Sequence, residues 1–584
     1  METLLTKLTS LFSQACEANN LEARFGEVVL SNRPDLGQFQ CNGALPAAKQ
    51  AGTNPRELAQ AILDALPENE LIESVELAGP GFININITDS ALAAHIAELT
   101  NDELLGTQAL STGRKTTVDY GGYNVAKSLH VGHLRSTVIG ESLKRILAFA
   151  GDEVTGDVHL GDWGTQMGMV IIGIQDEQPD LPYFDESFSG DYPTESPVTM
   201  KDLERIYPMV SGACKEDEAM RARALEATAL LQGGHKGYRA LWQHFVNITI
   251  EATKKTTDLL GAHFELWNGE AHYHDRIGTM VERLTTEGHA VESDGALVIH
   301  LEGEEELPPL MLTKSDGAYL YGTSDLATIE ERVTDLAQDF ILYVVDDRQS
   351  LHFRQVFQAA TQVGLLDSTD VHHAAFGTIT GKDRKPYKSR SGAAAKLGDL
   401  IEEAIDAAEK RMAEVNIGRE YTPEEQKRIA TLVGVAAVKF ADLINDKKSN
   451  YIFDSEQFTT FEGKTGPYLL YSAVRMKSIL RKVEDAGYAS GTITVTGDAD
   501  RTLQLKLTEF PYVLESAYTE YAPHLLAAYT FELAQSFNNF YQHCNIMNEE
   551  DEAVRASWIS LTQLSLRMLE QCLNLLTIEV PERM

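Results

Sequence analysis

A strand pattern at Thr116–Tyr120 gives way, after a short loop, to a helix pattern in which Leu134, Val138, Ile139, Leu143, Ile146 and Leu147 share one face. Gly151 follows as a helix stop. A strand feeding a helix through a glycine-bearing loop is the opening unit of a parallel α/β sheet. The loop carries Lys127 and the run His130-Val-Gly-His133. A helix start offers unpaired N–H groups and a partial positive charge, and so accepts phosphate. Gly132 lets a nucleotide approach the backbone there, and the two imidazoles can donate hydrogen bonds without permanent charge.

A His-x-x-His pair is also half of a zinc site, but zinc needs further ligands at suitable spacing. The five cysteines (Cys16, Cys41, Cys214, Cys544, Cys572) are scattered with no Cys-x-x-Cys, so no protein-bound metal is expected. Dispersed thiols fit a reducing cytoplasm. No apolar run reaches the ~18–20 residues of a membrane helix. The first residues (Leu4, Leu5, Leu8, Leu11, Phe12, Ala15) have helical spacing after Glu2 and do not read as a signal peptide. The expectation is a cytoplasmic protein without membrane association. The net charge of −37 argues against nucleic-acid partners at long range, yet a binding face needs only local basic clusters. Such clusters stand at Lys382–Arg390, at Lys447-Lys448, and at Arg475, Lys477, Arg481 and Lys482.

With 584 residues, several domains are expected. Residues 1–110 read as a small α/β module: a first helix, a loop at Asp35–Asn42, a helix at Leu58–Leu66, and a hairpin within Val75–Ile87. Residues 111–462 alternate strand and helix, with Phe340–Val345 as a central strand ending in Asp346-Asp347-Arg348-Gln349. Ligands of such sheets collect at the carboxyl ends of the strands, and the lack of Gly-x-Gly-x-x-Gly speaks against a dinucleotide-type site. Residues 176–199 are acidic and rich in Pro, Ser and Gly; with the helical stretch 201–262 they read as part of an insertion near 176–285. Residues 463–584 are helical, with apolar stripes at Phe531–Tyr541 and Leu561–Leu576.

The run Asn124-Val-Ala-Lys127…His130-Val-Gly-His-Leu-Arg-Ser-Thr137 resembles the HIGH signature of class I aminoacyl-tRNA synthetases, in its arginyl-tRNA synthetase form. Further segments resemble the same family. They are His159-Leu-Gly-Asp-Trp-Gly-Thr-Gln166, Lys314–Ala327, the KMSKS-like Gly381–Gly392, and Gly463–Arg475 with Phe537–Tyr541. The likeness covers essentially the whole chain. It implies an α/β fold: a class I Rossmann-type catalytic domain with an insertion, an N-terminal module contacting the tRNA elbow, and an all-α anticodon-binding bundle. The implied reaction activates L-arginine with ATP and Mg²⁺ to arginyl-adenylate and transfers it to the 3′-terminal adenosine of tRNA(Arg). A monomer, and activation that requires bound tRNA, are expected on the same ground.

The resemblance also implies residue roles. Lys127, His130, His133, Lys388 and Arg390 would be catalytic, with Lys127 supplying the charge that a KMSKS loop with one lysine lacks. ATP would meet His130, Gly132, His133, His373, Phe376, Gly377 and Lys388. Arginine would meet Asp119, Asn124, Tyr321, Asp325 and Gln349. The residue types suit the ligand, because a guanidinium is a planar fork of donors best met by a carboxylate. Tyr321 and Asp325, four apart, share a helix face. One departure is Gly121-Gly-Tyr-Asn124, where the family has Ser-x-Pro-Asn; a backbone contact or Tyr123 is expected to replace the serine hydroxyl. Two other readings remain at this level. One is another class I synthetase such as the cysteine enzyme, which binds its substrate through zinc and is disfavoured by the scattered thiols. The other is a catalytically silent tRNA-binding relative, disfavoured by intact His130, His133, Asp325 and Lys388.

Overall fold

The computed structural model describes residues 2–108, 110–303, 305–315, 317–381 and 395–584. Its centre is a parallel sheet of four strands, Lys115–Tyr120, Glu153–Asp157, Phe340–Val344 and Asp370–His373. Across the sheet the order is Asp370–His373, Phe340–Val344, Lys115–Tyr120, Glu153–Asp157. The chain therefore steps outward in both directions from Lys115–Tyr120, and the order reverses between that strand and Phe340–Val344. Such a switch point opens a crevice at the carboxyl ends of the strands. All five residues of Phe340–Val344 are buried, as a strand covered on both faces requires.

The helix Gly132–Phe149 packs on this sheet and pins the switch point. Ser136 Oγ accepts from Gly121 N–H at 2.7 Å and donates to Val344 C=O at 2.8 Å, joining the ends of both central strands. Gly140 lies directly on the Tyr120 ring, so a methyl group there would overlap the ring's inner atoms.

The helices Thr165–Glu177, Met200–Glu216, Glu218–Gln232 and Lys236–Leu259 form a separate layer with its own apolar core. A third core lies around an antiparallel sheet of Val291–Ser293, Ala296–Ile299 and Leu310–Thr313, which the sequence pattern did not reveal. In the N-terminal module the hairpin Ile72–Ala78/Phe82–Ile87 forms as expected. The expected loop Asp35–Asn42 instead contains the strand Phe39–Cys41, paired with both Val28–Leu30 and the hairpin. The module docks on the C-terminal bundle: Arg501 Nε meets Asp89 at 2.6 Å, and Arg567 Nη2 donates to Leu99 C=O at 2.7 Å. No described helix is long and apolar enough to cross a membrane.

Replacing Gly140 by Ala should lower stability by about 1–3 kcal/mol, the usual cost of forcing a methyl into a packed contact. Urea unfolding of the two proteins checks this; an unchanged or raised midpoint would show that helix and strand can separate freely.

Candidate active site

The crevice at the switch point is lined by the loop after Lys115–Tyr120, the turn Asp347–Gln349 after the neighbouring strand, and the segment after Asp370–His373. The His130 and His133 rings stack at 3.8 Å between centroids. His133 Nδ1 accepts the His130 backbone N–H at 3.1 Å, which leaves the ring proton on Nε2. Burial, with His130 and Lys127 nearby, pushes the His133 pKa down to about 3; burial, Lys127 and Arg348 lower that of His130. Both imidazoles are therefore neutral donors at physiological pH.

Local chemistry explains the loop residues, sometimes differently from expectation. A Cβ on Gly132 would lie 2.8 Å from the His130 ring, so this glycine makes room for its own histidine as well as for a ligand. Gly121 has φ of 92°, and a Cβ there would lie 2.8 Å from the Tyr123 ring. The family's serine has no room at that position. Tyr123 does not replace its hydroxyl either: the side chain is buried, Oη lies 2.8 Å from Thr137 Oγ1, and the ring meets His133 edge-on. Tyr123 is a prop for His133. Asn124 pairs by its backbone with Gly161 of the Gly-Asp-Trp-Gly loop. Lys127 places its ammonium 4.5 Å from the Tyr207 ring centroid, on the inserted helical layer, while its charge still reaches both histidines.

Of the residues expected around adenine, Phe376 is buried in the core near Arg135. Its N–H donates to Val345 C=O, and its C=O accepts from Asp347 N–H. His373 Nε2 donates to Val345 C=O at 3.0 Å. Gly377 N–H bonds Lys447 C=O, and a Cβ there would lie 2.7 Å from Asn450. These three residues build the floor of the crevice rather than presenting free groups. Lys388 and Arg390 lie outside the described residues.

The other side of the crevice is acidic. Asp325 sits one turn into the helix Tyr321–Thr334, hydrogen-bonded to His352 Nε2, a partner that sequence reasoning missed. Tyr321, the first residue of that helix and four before Asp325, is 75% exposed. Gln349 is exposed at the end of its turn. Asp119 is buried and bonded through Oδ2 to Arg332, with 11% of its side-chain surface left open. Glu270, also not anticipated, is pushed up to about 7 by burial, with Asp162 and Asp325 adding repulsion; burial raises Asp162 to about 6. A buried carboxyl raised further by acidic neighbours, as Glu270 is, complements a cationic ligand, which relieves that repulsion. Among the described residues, no cluster of side chains has the arrangement of a metal site.

Because His133 is held neutral when folded and has an ordinary pKa of about 6.5 when unfolded, the unfolded chain takes up its proton first as pH falls. Its contribution to stability is constant above pH ~6.5 and falls by roughly 1.4 kcal/mol per unit below it. The stability difference between the protein and His133→Asn should follow that slope between pH 6.5 and 4.5; a flat difference by denaturant unfolding would mean the imidazole is not buried neutral.

The chain matches the family described as tRNA synthetases class I (R), catalytic domain, over residues 95–455. Residues 469–584 match the DALR anticodon binding domain, and residues 6–87 the arginyl tRNA synthetase N terminal domain. It is 47% identical to the arginine–tRNA ligase of Hyphomonas neptunium and 45% identical to that of Alkaliphilus oremlandii, each over 100% of both chains. Its fold is that of the arginyl-tRNA synthetases of Plasmodium falciparum (TM-score 0.83) and Thermus thermophilus (TM-score 0.79), both 23% identical and fully covered. With the paired histidines at the switch point and the acidic pocket beside them, these likenesses place the chain in the arginine–tRNA ligase family of class I aminoacyl-tRNA synthetases.

Proposed function

We propose that the arginine substrate of this ligase lies along the acidic side of the crevice, its guanidinium at Asp325 and its ammonium end at Asp119. ATP lies across the start of Gly132–Phe149. The observation that carries this reading is the grouping of Asp325, Asp162 and Glu270 on one side of the crevice, near enough that Asp162 and Asp325 add to the rise that burial gives the Glu270 carboxyl. Arginine activation joins a carboxylate oxygen of the amino acid to the α-phosphorus of ATP as the bond to pyrophosphate breaks, the leaving oxygen keeping the electron pair. A terminal hydroxyl of tRNA(Arg) then attacks the carbonyl carbon and AMP leaves. Negative charge develops on phosphate oxygens, so positioning and electrostatics do most of the work. The Nε2–H of His133 is oriented by the bond to its own Nδ1 and can donate to phosphate without a competing charge state. Lys127 contributes positive potential from its seat on Tyr207, and Lys388 and Arg390 are assigned to the pyrophosphate by sequence alone. Mg²⁺ would arrive with ATP and offset its phosphate charge.

Asp325→Asn should lower kcat/KM for arginine by about 10²–10⁴-fold while the KM for ATP stays within about twofold. A loss below about threefold in tRNA charging would refute the placement. Pyrophosphate exchange with arginine should need tRNA; equal exchange without it would count against the family's coupling in this chain.

Arginine binding should lower the Glu270 pKa from about 7 and expel its proton. Affinity then rises as pH climbs through about 7, and calorimetry near neutrality in buffers of different ionisation enthalpy should register up to about half a proton released per arginine. No proton release, or tighter binding at pH 6 than at pH 8, would show that Glu270 does not sense the ligand. Glu270→Gln should remove the release.

A further inference from the structure

Three neighbouring strands present one row of side chains just before their carboxyl ends: Tyr343 is in register with Asp119, and Asp119 with Asp157. Arg332 lies across this row. A single nitrogen, Nη2, bonds Asp119 Oδ2 at 2.6 Å and Asp157 Oδ2 at 2.7 Å, and the guanidinium stands 5.3 Å from the Tyr343 ring centroid. Arg332 and Asp157 are almost fully buried, whereas the Asp119 side chain keeps 11% of its surface open. Asp157 Oδ1 also accepts His159 N–H, so it is tied to the loop that follows its strand.

Arg332 belongs to the same helix as Asp325, seven residues further on, which is two turns along one face. The helix that carries the acid for one end of the amino acid is thus chained to the strand that carries the acid for the other end. Two carboxylates share one guanidinium, and of the two it is Asp119 that keeps open side-chain surface. Burial pushes the Asp119 carboxyl up, and Arg332 opposes that shift. Tyr343, between them, senses both Asp119 and Asp325.

We propose that Arg332 is a positioning residue for substrate length: by holding Asp119 against the helix of Asp325, it sets which guanidino amino acid spans the pocket. This rests on the reading that Asp325 and Asp119 take the two ends of arginine. A lysine at 332 keeps the positive charge and one nitrogen for both carboxylates but loses the planar guanidinium beside the Tyr343 ring, so Arg332→Lys should be intermediate. Asp157 keeps the bridge in place without touching substrate, which makes Asp157→Asn an independent, isosteric probe.

The test is steady-state tRNA charging with arginine and with its homologues one methylene shorter and one methylene longer. For Arg332→Gln the KM for arginine should rise about tenfold or more, with a smaller change in kcat and the KM for ATP within about twofold. The kcat/KM preference for arginine over both homologues should fall about fivefold, with Arg332→Lys recovering part of it. Asp157→Asn should shift the preference in the same direction by about threefold, and it decides the matter alone if Arg332→Gln does not fold. An unchanged preference, or a loss shared equally by all three substrates, overturns the inference. If Asp325→Asn impairs arginine use while these variants keep the preference, only the role of Arg332 fails; if Asp325→Asn is silent, the pocket assignment itself fails.

Discussion

The helix Gly132–Phe149 is the element on which the other parts of the molecule bear. Ser136 joins the two strand ends at the switch point, and one turn later Gly140 seats the helix on Tyr120. Arg135, buried, reaches Asp442 at 3.3 Å and donates to Ser449 C=O at 2.8 Å, linking the catalytic sheet to the long helix Pro423–Leu443 and the turn after it. Further along, Ser142 donates to Leu575 C=O, and Arg145 to Asn574 and Gly261 carbonyls, which ties in the last helix of the bundle. Removing one partner of a buried pair such as Arg135–Asp442 typically costs about 3–5 kcal/mol, whereas an apolar pair of equal size would serve stability as well. The arrangement therefore fixes geometry more than it adds net stability. Its consequence is that the histidines at the head of this helix are held by contacts spread along its length.

With ATP and arginine placed as proposed, the two sides of the crevice meet opposite electrostatic demands. On the phosphate side the histidines are kept neutral, so donors are present without a protonation equilibrium near physiological pH. On the amino-acid side the carboxyls of Asp119, Asp162 and Glu270 are pushed up by burial, Glu270 further by acidic neighbours. A cationic ligand restores the charged form of these acids, so its binding energy includes the relief of strain already present in the protein. Neutral competitors of similar shape gain none of that relief. Selection for a guanidinium over an uncharged isostere follows from the charge balance of the pocket before any single hydrogen bond is counted.

What the sequence disclosed and what it hid follow from physical range. The strand at Thr116–Tyr120, the amphipathic helix after it and the buried strand near Phe340 are periodic over enough residues to be legible. The antiparallel sheet between Val291 and Thr313 is built from strands of three or four residues, too short to show a period. Phe39–Cys41 hid in a loop for the same reason. Asp325 stood out through the motifs around it, but Arg332, beside Glu330 and Glu331, looks like one more charge on an exposed helix face. Its partners lie more than 170 residues away in sequence, at separations of 175 and 213. Of the two replacements expected for the serine hydroxyl, Tyr123 falls away because its place depends on Gly121 adopting a positive φ, which two adjacent glycines permit but do not dictate.

The basic clusters show the same limit, with a consequence for how a polyanion is received. Lys477 bridges Glu570 and Glu582 at 3.0 and 2.9 Å, Arg481 donates to Glu582 C=O, and Arg475 bonds Asn538. Lys447 is half-buried and donates to Glu520 C=O. These cations are struts of the bundle, and the chain around them carries a net charge of −37. At physiological salt the field of such a surface decays within about 8 Å, so repulsion of a tRNA is short-ranged too. Lys477, already paired with two glutamates, would release fewer counterions from nucleic acid than a free lysine.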